Sequence, residues 1–232
     1  MAHPIPIVAL DVPDAASATA LLDRLGASAR FVKVGLQLFT AEGPAVVRAL
    51  RERSLRVFLD LKLHDIPNTV AHAVKSAASL DVELLTVHAS GGAAMLRAAV
   101  EAAAGTPLTL LGVTVLTSLD ERGLGEAWGR ERVEMEEEVE RLARLAAACG
   151  IPGVVASVRE VAAVRRADPK LRVLTPGIRL AGDAAGDQSR TATPAEAARL
   201  GADYVVLGRS VTAADDPAAA LQRAVEELAA TP

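Results

Sequence analysis

Short apolar runs rich in β-branched residues recur along the chain and alternate with longer Ala-rich segments of helical periodicity. Such runs are typical of buried strands, and apolar positions three and four residues apart are typical of amphipathic helices. The predicted strands are Ile5–Leu10, Phe31–Gly35, Val57–Leu61, Leu84–Val87, Leu108–Val115, Gly153–Ala156, Leu171–Leu174 and Tyr204–Leu207. The predicted helices are Ala15–Leu25, Ala45–Arg53, Ala71–Leu80, Ala93–Ala103, Val133–Ala148, Val158–Arg166, Pro194–Leu200 and Pro217–Ala229.

Strands that alternate with helices in this way predict a parallel sheet whose crossover connections are the helices. The chain has 232 residues, and a closed (β/α)8 barrel of about 200–250 residues commonly forms one domain. We therefore predict an α/β fold, a (β/α)8 TIM barrel, with residues 1–232 as a single domain. The longest irregular stretches, Ser118–Arg132 and Ile178–Thr193, follow the fifth and seventh strands, where loops of a barrel usually cover the active site. Thr193 and Asp216 precede prolines and are predicted helix N-caps, and Gly26 is a predicted helix stop.

Composition and charge exclude several classes of protein. The net charge is −4, hydrophobic residues make up 51% and aromatic residues 2%. A globular protein is expected, and a nucleic-acid partner is not, because no basic patch with stacking rings is visible. The single cysteine, Cys149, excludes an intrachain disulfide and suits a reducing compartment. We find no signal-peptide pattern and no apolar run of about 18 residues, so we expect a cytoplasmic protein without membrane contact.

Polar residues directly follow the predicted strands, where the catalytic groups of a barrel lie. Two of them are lysines, although the chain has only four lysines among its 25 basic residues. A lysine can release a proton and an arginine hardly can, so the lysines are the more interesting cations. The strand-end candidates are Asp11, Lys33, Asp60, Lys62, Asp65, His88, Thr117, Ser118, Arg179 and Arg209.

The segment Asp60–Asp65 is the strongest local signal. Side chains of a strand alternate between its faces, so Asp60 and Lys62 share one face while Leu61 and Leu63 take the other. If the shared face is the barrel interior, an acid and an amine lie side by side at the mouth. A buried ion pair that only stabilises the barrel is the alternative interpretation.

The segment Asp60–Thr69, read DLKLHDIPNT, resembles the signature of the orotidine 5′-phosphate decarboxylases. The resemblance extends over nearly the whole chain, in the family's order and at similar spacing. A lone DxKxxD pattern is only moderately specific, because sister barrels share it, whereas the full set is highly specific. The other matching segments are 9–11, 31–35, 87–89, 113–118, 175–179, 186–190 and 206–209.

The resemblance implies a reaction and roles for four charged residues. The enzyme would convert orotidine 5′-phosphate to UMP in pyrimidine biosynthesis without a cofactor or a metal. Lys62 would protonate C6 of the pyrimidine as carbon dioxide leaves, and Asp60 would lie beside the substrate carboxylate. Lys33 and Asp65 would complete an alternating charge array. The carbanion has no adjacent carbonyl, so a fixed ammonium is the sensible way to stabilise it.

The resemblance also implies the substrate-binding residues and a homodimer with shared active sites. Asp65 and Thr69 would reach into the partner's site, and Asp11 and Lys33 would hold the ribose hydroxyls. Thr117 would contact the pyrimidine, with Ser118 as the second candidate. The full set of substrate-binding residues is Asp11, Lys33, Asp60, Ile66, Thr69, Thr117, Arg179, Gln188, Gly208 and Arg209, the last four at the phosphate end.

Two other functions compete with this interpretation. A magnesium-dependent sugar-phosphate decarboxylase or synthase of the same barrel superfamily shares the DxKxxD pattern. Such relatives are expected to carry an acid near the end of the second strand, where this chain has Lys33. A catalytically silent phosphate-binding module would bind the ligand without turnover, and it would be expected to lack a site residue.

Overall fold

The computed structural model describes residues 3–180 and 191–230 and contains a closed barrel of eight parallel strands in chain order. The predicted (β/α)8 barrel is therefore confirmed. The strands are β1 (Ile5–Ala9), β2 (Phe31–Gly35), β3 (Arg56–Leu63), β4 (Leu84–His88), β5 (Thr109–Val113), β6 (Gly153–Val155), β7 (Arg172–Ile178) and β8 (Tyr204–Leu207).

Helices follow the strands and form the outer layer of the barrel. Short 3₁₀ turns lie at Gly26–Ser28, Ala89–Gly91 and Val158–Glu160. The α-helices are α1 (Ala15–Leu25), α2 (Leu36–Glu42), α3 (Pro44–Glu52), α4 (Pro67–Ala78), α5 (Gly92–Ala103), α6 (Glu121–Trp128), α7 (Met135–Ala148), α8 (Val161–Ala167), α9 (Pro194–Arg199), α10 (Arg209–Thr212) and α11 (Pro217–Ala229).

The hydrophobic core has two layers because successive strand side chains point to opposite faces. The inner layer fills the barrel and includes Phe31, Phe58, Leu84, Leu111 and Tyr204. The outer layer packs the other face of each strand against the helices and is much larger. A packed interior leaves room for a ligand only at an end of the barrel.

Aromatic and charged side chains occupy the end of the barrel where the strands begin. The Phe31 ring meets the Tyr204 ring edge-on at 6.5 Å between centroids. The Arg56 guanidinium lies 4.2 Å from the centroid of Phe31 and also binds the Glu83 carboxylate. These contacts cover the inner layer at this end, so the cavity described below lies at the opposite end.

Three helical segments depart from the sequence-based prediction. The predicted loop Ser118–Arg132 contains α6, because Asp120 caps it by accepting from Gly123 N at 2.7 Å. Gly123 and Gly125 lie inside that helix, and because glycine is typical of loops, the sequence pattern does not predict a helix there. Helix α2 separates β2 from α3, which begins at Pro44 as its first residue. Helix α10, a single turn, follows Gly208.

The predicted caps at Thr193, Asp216 and Gly26 are confirmed. The Thr193 hydroxyl accepts from Glu196 N, and the Glu196 carboxylate accepts from Thr193 N, which completes a capping box. The Asp216 carboxylate accepts from Ala219 N. Gly26 ends α1 with a φ of 60°, which favours glycine.

Within residues 3–180 and 191–230, no helix is both long and apolar enough to cross a membrane.

The Glu138 carboxylate of α7 holds the loop that follows α6. Its side chain is only 5% exposed and binds the guanidinium groups of Arg130 and Arg141. Burial raises the pKa of Glu138, but the hydrogen bonds from both arginines outweigh burial and hold the pKa below its usual value. The carboxylate therefore stabilises the fold above the unfolded pKa of about 4.3, and this contribution disappears as the pH falls through the lowered folded pKa.

Glu138→Gln should lower the melting temperature at pH 7 by about 2–4 °C, the shift that ~1 kcal/mol produces in a domain of this size. The difference from wild type should shrink as the pH falls through the lowered folded pKa, because the wild-type carboxylate then becomes protonated as well. Thermal unfolding followed by circular dichroism measures both values. Glu137→Gln, on an exposed neighbouring side chain, is the matched control. A difference that stays unchanged at every acidic pH at which the folded protein can be measured would contradict the assignment.

Candidate active site at the carboxyl ends of the strands

A cavity of about 300 Å³ opens where the barrel strands end, which is within the size range of small-molecule sites. Inner-layer residues such as Phe58 and Leu174 form its apolar part, and polar residues from the strand ends line the rest. The lining residues predicted from the sequence are Asp11, Lys33, Asp60, Lys62, Thr117, Ser118, Arg179 and Gly208, and Gly177 of the matching segment 175–179 also lines the cavity.

Four charged side chains form a continuous row along this cavity. The Lys33 ammonium lies 2.6 Å from Asp11 Oδ1 and 3.9 Å from Asp60 Oδ2. Asp60 Oδ2 also accepts from the Lys62 ammonium at 2.7 Å. Acid and amine thus alternate in the order Asp11, Lys33, Asp60, Lys62, and their formal charges cancel. Asp60 and Lys33 are about nine-tenths buried, whereas Asp11 is exposed.

The backbone of β3 departs from a regular strand at Lys62. Leu59 pairs with Leu85 of β4, but the next pairing joins Leu63 to Val87, so β3 has extra residues between them. Lys62 itself has a φ of 50°, a left-handed conformation that is uncommon outside glycine. A bulge of this kind redirects side chains, and such bulges occur often next to active sites.

The predicted proximity of Asp60 and Lys62 is confirmed, and the bulge adds to it. Leu61 and Leu63 pack against the outer layer, as strict alternation requires. The alternation of side chains along β3 places Asp60 and Lys62 on the same face of the strand. The bulge turns the end of β3 at Lys62, and the Lys62 ammonium lies against the Asp60 carboxylate.

Gly35, at the end of β2, is a site residue that the sequence did not identify as such. A Cβ built on Gly35 would lie 2.9 Å from Lys33 Nζ and 3.1 Å from Asp11 Oδ1. Any side chain there would displace the ion pair between these two groups. The reason for this glycine could not be recognised from the sequence, because the crowding arises between residues of two different strands.

The residues around the start of α4 lie outside the cavity lining. Asp65, Ile66 and Thr69 are exposed, and Ile66 keeps 66% of its surface in solvent. The Asp65 carboxylate accepts from Ile66 N at 2.6 Å. Within the described chain, these three predicted site residues are therefore not brought to the cavity by their own subunit.

The predicted phosphate end is formed by the ends of β7 and β8. Gly177 has a φ of 79°, which favours glycine, and the buried Arg179 donates to the Ile178 carbonyl at 3.1 Å. A Cβ built on Gly208 would meet no atom within 4 Å, so the space beside it is open. Arg209 begins α10, just outside the cavity lining, and is exposed. Gln188 lies outside the described residues.

Two histidines lie beside the charged row. The rings of His64 and His88 are 5.3 Å apart between centroids. Burial lowers the pKa of His88, and the nearby His64 and the Lys62 ammonium lower it further, while Asp60 opposes them. A neutral His88 is therefore expected at neutral pH, which avoids a further positive charge beside Lys62.

The potential metal ligands of the chain are not clustered in its described part. Among residues 3–180 and 191–230, no group of three or more His, Cys, Asp or Glu side chains could hold a metal ion. The gap between Asp11 and Asp60 contains the Lys33 ammonium. A cation is thus already present between these carboxylates.

Comparison with known proteins agrees with this geometry. The fold and site define a (β/α)8-barrel protein whose charged cavity lies at the carboxyl ends of the strands. Residues 4–224 match the model of the orotidine 5′-phosphate decarboxylase / HUMPS family. The chain therefore belongs to this family.

Individual relatives are similar over nearly their whole length. The orotidine 5′-phosphate decarboxylase of Moorella thermoacetica is 54% identical over 96% of this chain and 91% of its own. The orotidine 5′-phosphate decarboxylase of Paramagnetospirillum magneticum is 48% identical over 98% of this chain and 99% of its own. A crystal structure of the enzyme from Lactobacillus acidophilus has a TM-score of 0.86 at 36% identity and covers 99% of this chain and 100% of that chain.

The charge environment of His88 can be tested directly. In NMR spectra, the His88 imidazole should titrate below the ordinary value of 6.5. Lys62→Ala should raise this pKa, because it removes a neighbouring positive charge. The unfolded imidazole binds its proton at higher pH than the folded one. His88 therefore lowers the stability of the fold as the pH falls from the ordinary pKa of 6.5 to the lowered folded pKa.

Lys75→Ala, on an exposed lysine of α4, is the matched control and should leave the His88 titration unchanged. A His88 midpoint at or above 6.5 in the wild type would contradict the predicted environment.

Proposed function

We propose that the chain catalyses the decarboxylation of orotidine 5′-phosphate to UMP, a step of pyrimidine biosynthesis, without a cofactor or a metal. The observation that carries the proposal is the Asp11–Lys33–Asp60–Lys62 row, with the Lys62 ammonium beside the open cavity. Membership of the family and the names of the relatives support the same substrate and reaction.

Lys62 acts as the proton donor in this reaction. The bond between C6 of the pyrimidine and its carboxylate breaks, carbon dioxide leaves, and the electron pair remains on C6. The Lys62 ammonium stabilises this negative charge and transfers a proton to C6. A lysine can release that proton, whereas an arginine would hold it too strongly.

Asp60 and Lys33 prepare the site for the substrate carboxylate. The four charges of the row cancel, so the incoming anion meets no net negative charge. Asp60 Oδ2 binds both ammonium groups, which holds Lys62 at a fixed position before the substrate arrives. Such preorganised charge is most effective where water is excluded, and Asp60 is only 9% exposed.

The remaining contacts bind the rest of the nucleotide. Asp11 and Lys33 hold the ribose hydroxyls, and Thr117, with Ser118 beside it, contacts the pyrimidine. At the far side of the cavity, Arg179, Gln188, Gly208 and Arg209 bind the phosphate. Barrels often bind phosphate with the loops after their seventh and eighth strands, and the open space beside Gly208 supports this assignment.

The active unit is a homodimer in the cytoplasm, in which each subunit completes the other's site. The exposed segment Asp65–Thr69, which includes the first turn of α4, supports this proposal, because its polar groups do not reach the cavity of their own chain. The exposed side chain of Ile66 is apolar and would be buried by a partner. Asp65 would then extend the charge row from the partner's side, and Ile66 and Thr69 would contact the substrate.

The decisive assay follows the ultraviolet absorbance of orotidine 5′-phosphate with the enzyme in excess chelator and identifies the product as UMP. Undiminished turnover in chelator supports the proposal. Turnover that depends on added magnesium would favour the sugar-phosphate enzymes of the same superfamily. Binding without turnover would favour a silent phosphate-binding module.

Lys62→Ala should abolish turnover while the protein stays folded, because it removes the proton donor at C6. A positioned general acid is typically worth about 10²–10⁴-fold in rate. Steady-state kinetics and circular dichroism measure the two properties. Lys62→Arg should also fail although it keeps the charge, and Lys75→Ala is the matched control. A Lys62→Ala enzyme with more than about a tenth of the wild-type kcat would rule out this role.

Mixing inactive Lys62→Ala protein with inactive Asp65→Ala protein should restore activity under conditions that exchange subunits. A heterodimer of the two carries one site with both defects and one site with neither. Activity of the mixture is compared with that of each variant treated alone. Verified heterodimers without activity would contradict the shared site and leave the decarboxylase proposal intact.

A further inference from the structure

A buried threonine on β4 connects the two residues at the centre of the charged row. Thr86 has no exposed surface and follows Leu84 on the inner face of the barrel, while Leu85 and Val87 pack in the outer layer. Its hydroxyl accepts from the backbone N–H of Lys62 at 2.9 Å and donates to Asp60 Oδ1 at 2.9 Å. One hydroxyl group thus makes both bonds.

The first of these bonds fixes the bulge of β3. The pairing of β3 with β4 shifts between Leu59 and Leu63, which interrupts the ladder at Lys62. A buried backbone N–H without a partner is costly, so the group requires another acceptor. The Thr86 hydroxyl is that acceptor, and it thereby stabilises the left-handed conformation of Lys62.

The second bond sets the orientation of the Asp60 carboxylate. With Oδ1 bound to Thr86, Oδ2 is directed to the ammonium groups of Lys62 and Lys33. Only a group that donates and accepts through one atom can make both contacts from this position, and a hydroxyl does so. A valine of the same shape could make neither.

We infer that Thr86 is a positioning residue for the decarboxylation, because it fixes both the Lys62 backbone and the Asp60 carboxylate. It lies outside the cavity lining and acts through these two residues. The inference rests on the proposed function, since it assigns the effect of Thr86 to the proton donor of that reaction. A merely stabilising role would lower the melting temperature without a specific loss of kcat.

The test compares Thr86→Val and Thr86→Ser with Thr114→Val. Thr114 is also buried, and its hydroxyl donates to the Val155 carbonyl at 2.8 Å and not to a member of the charged row. Thr86→Val should lower kcat by roughly 10- to 100-fold, the scale of a catalytic group misplaced by about 1 Å, and change KM by less than about 3-fold. Thr86→Ser should recover most of kcat. Thr114→Val should destabilise the fold comparably and keep kcat within about 3-fold of wild type.

Two results would overturn the inference. One is a Thr86→Val enzyme with the kcat of Thr114→Val, and the other is a crystal structure of Thr86→Val in which the Lys62–Asp60 contact is unchanged. If Thr86→Val is insoluble, Thr86→Ala takes its place with the same expectations. Failure of the proposed function is recognised separately, because the wild-type enzyme would then not convert orotidine 5′-phosphate at all.

Discussion

The structure depends on one buried carboxylate, that of Asp60. An ionised group removed from water is costly unless it is paired and hydrogen-bonded. Here Oδ1 accepts from the Thr86 hydroxyl, and Oδ2 lies near the ammonium groups of Lys62 and Lys33. Neither ammonium could lie so close to the other without this anion between them. The positions of both amines therefore follow from the burial and orientation of a single acid.

The barrel provides what this carboxylate needs because all its strands run in the same direction. Their carboxyl ends meet at one rim, so residues far apart in the sequence become neighbours there. Asp11 follows β1, Lys33 lies in β2, Asp60 lies in the later half of β3, and Thr86 comes from β4. Small departures from regular structure complete the site. Gly35 leaves room for the Lys33–Asp11 pair, and the bulge in β3 turns its end at Lys62.

The sequence predicted the barrel well, because strand and helix patterns are local and repeat along the chain. It also predicted most of the cavity lining, since polar residues after apolar runs are conspicuous. Thr86 was missed because a β-branched threonine inside a strand looks like any other strand residue. The left-handed Lys62 and the crowding at Gly35 depend on contacts between strands, which a one-dimensional pattern does not contain. Helix α6 was missed because its glycines resemble those of a loop.

The groups around the reacting carbon and the groups at the phosphate end come from opposite halves of the chain. The charged row and Thr86 lie within residues 11–86, whereas the groups proposed for the phosphate lie between Gly177 and Arg209. Members of both sets line the same cavity. Changes in the later half can therefore alter which molecule is held without moving the groups that react with it. A barrel divided in this way can acquire new substrates through one half of its gene while the other half keeps its chemistry.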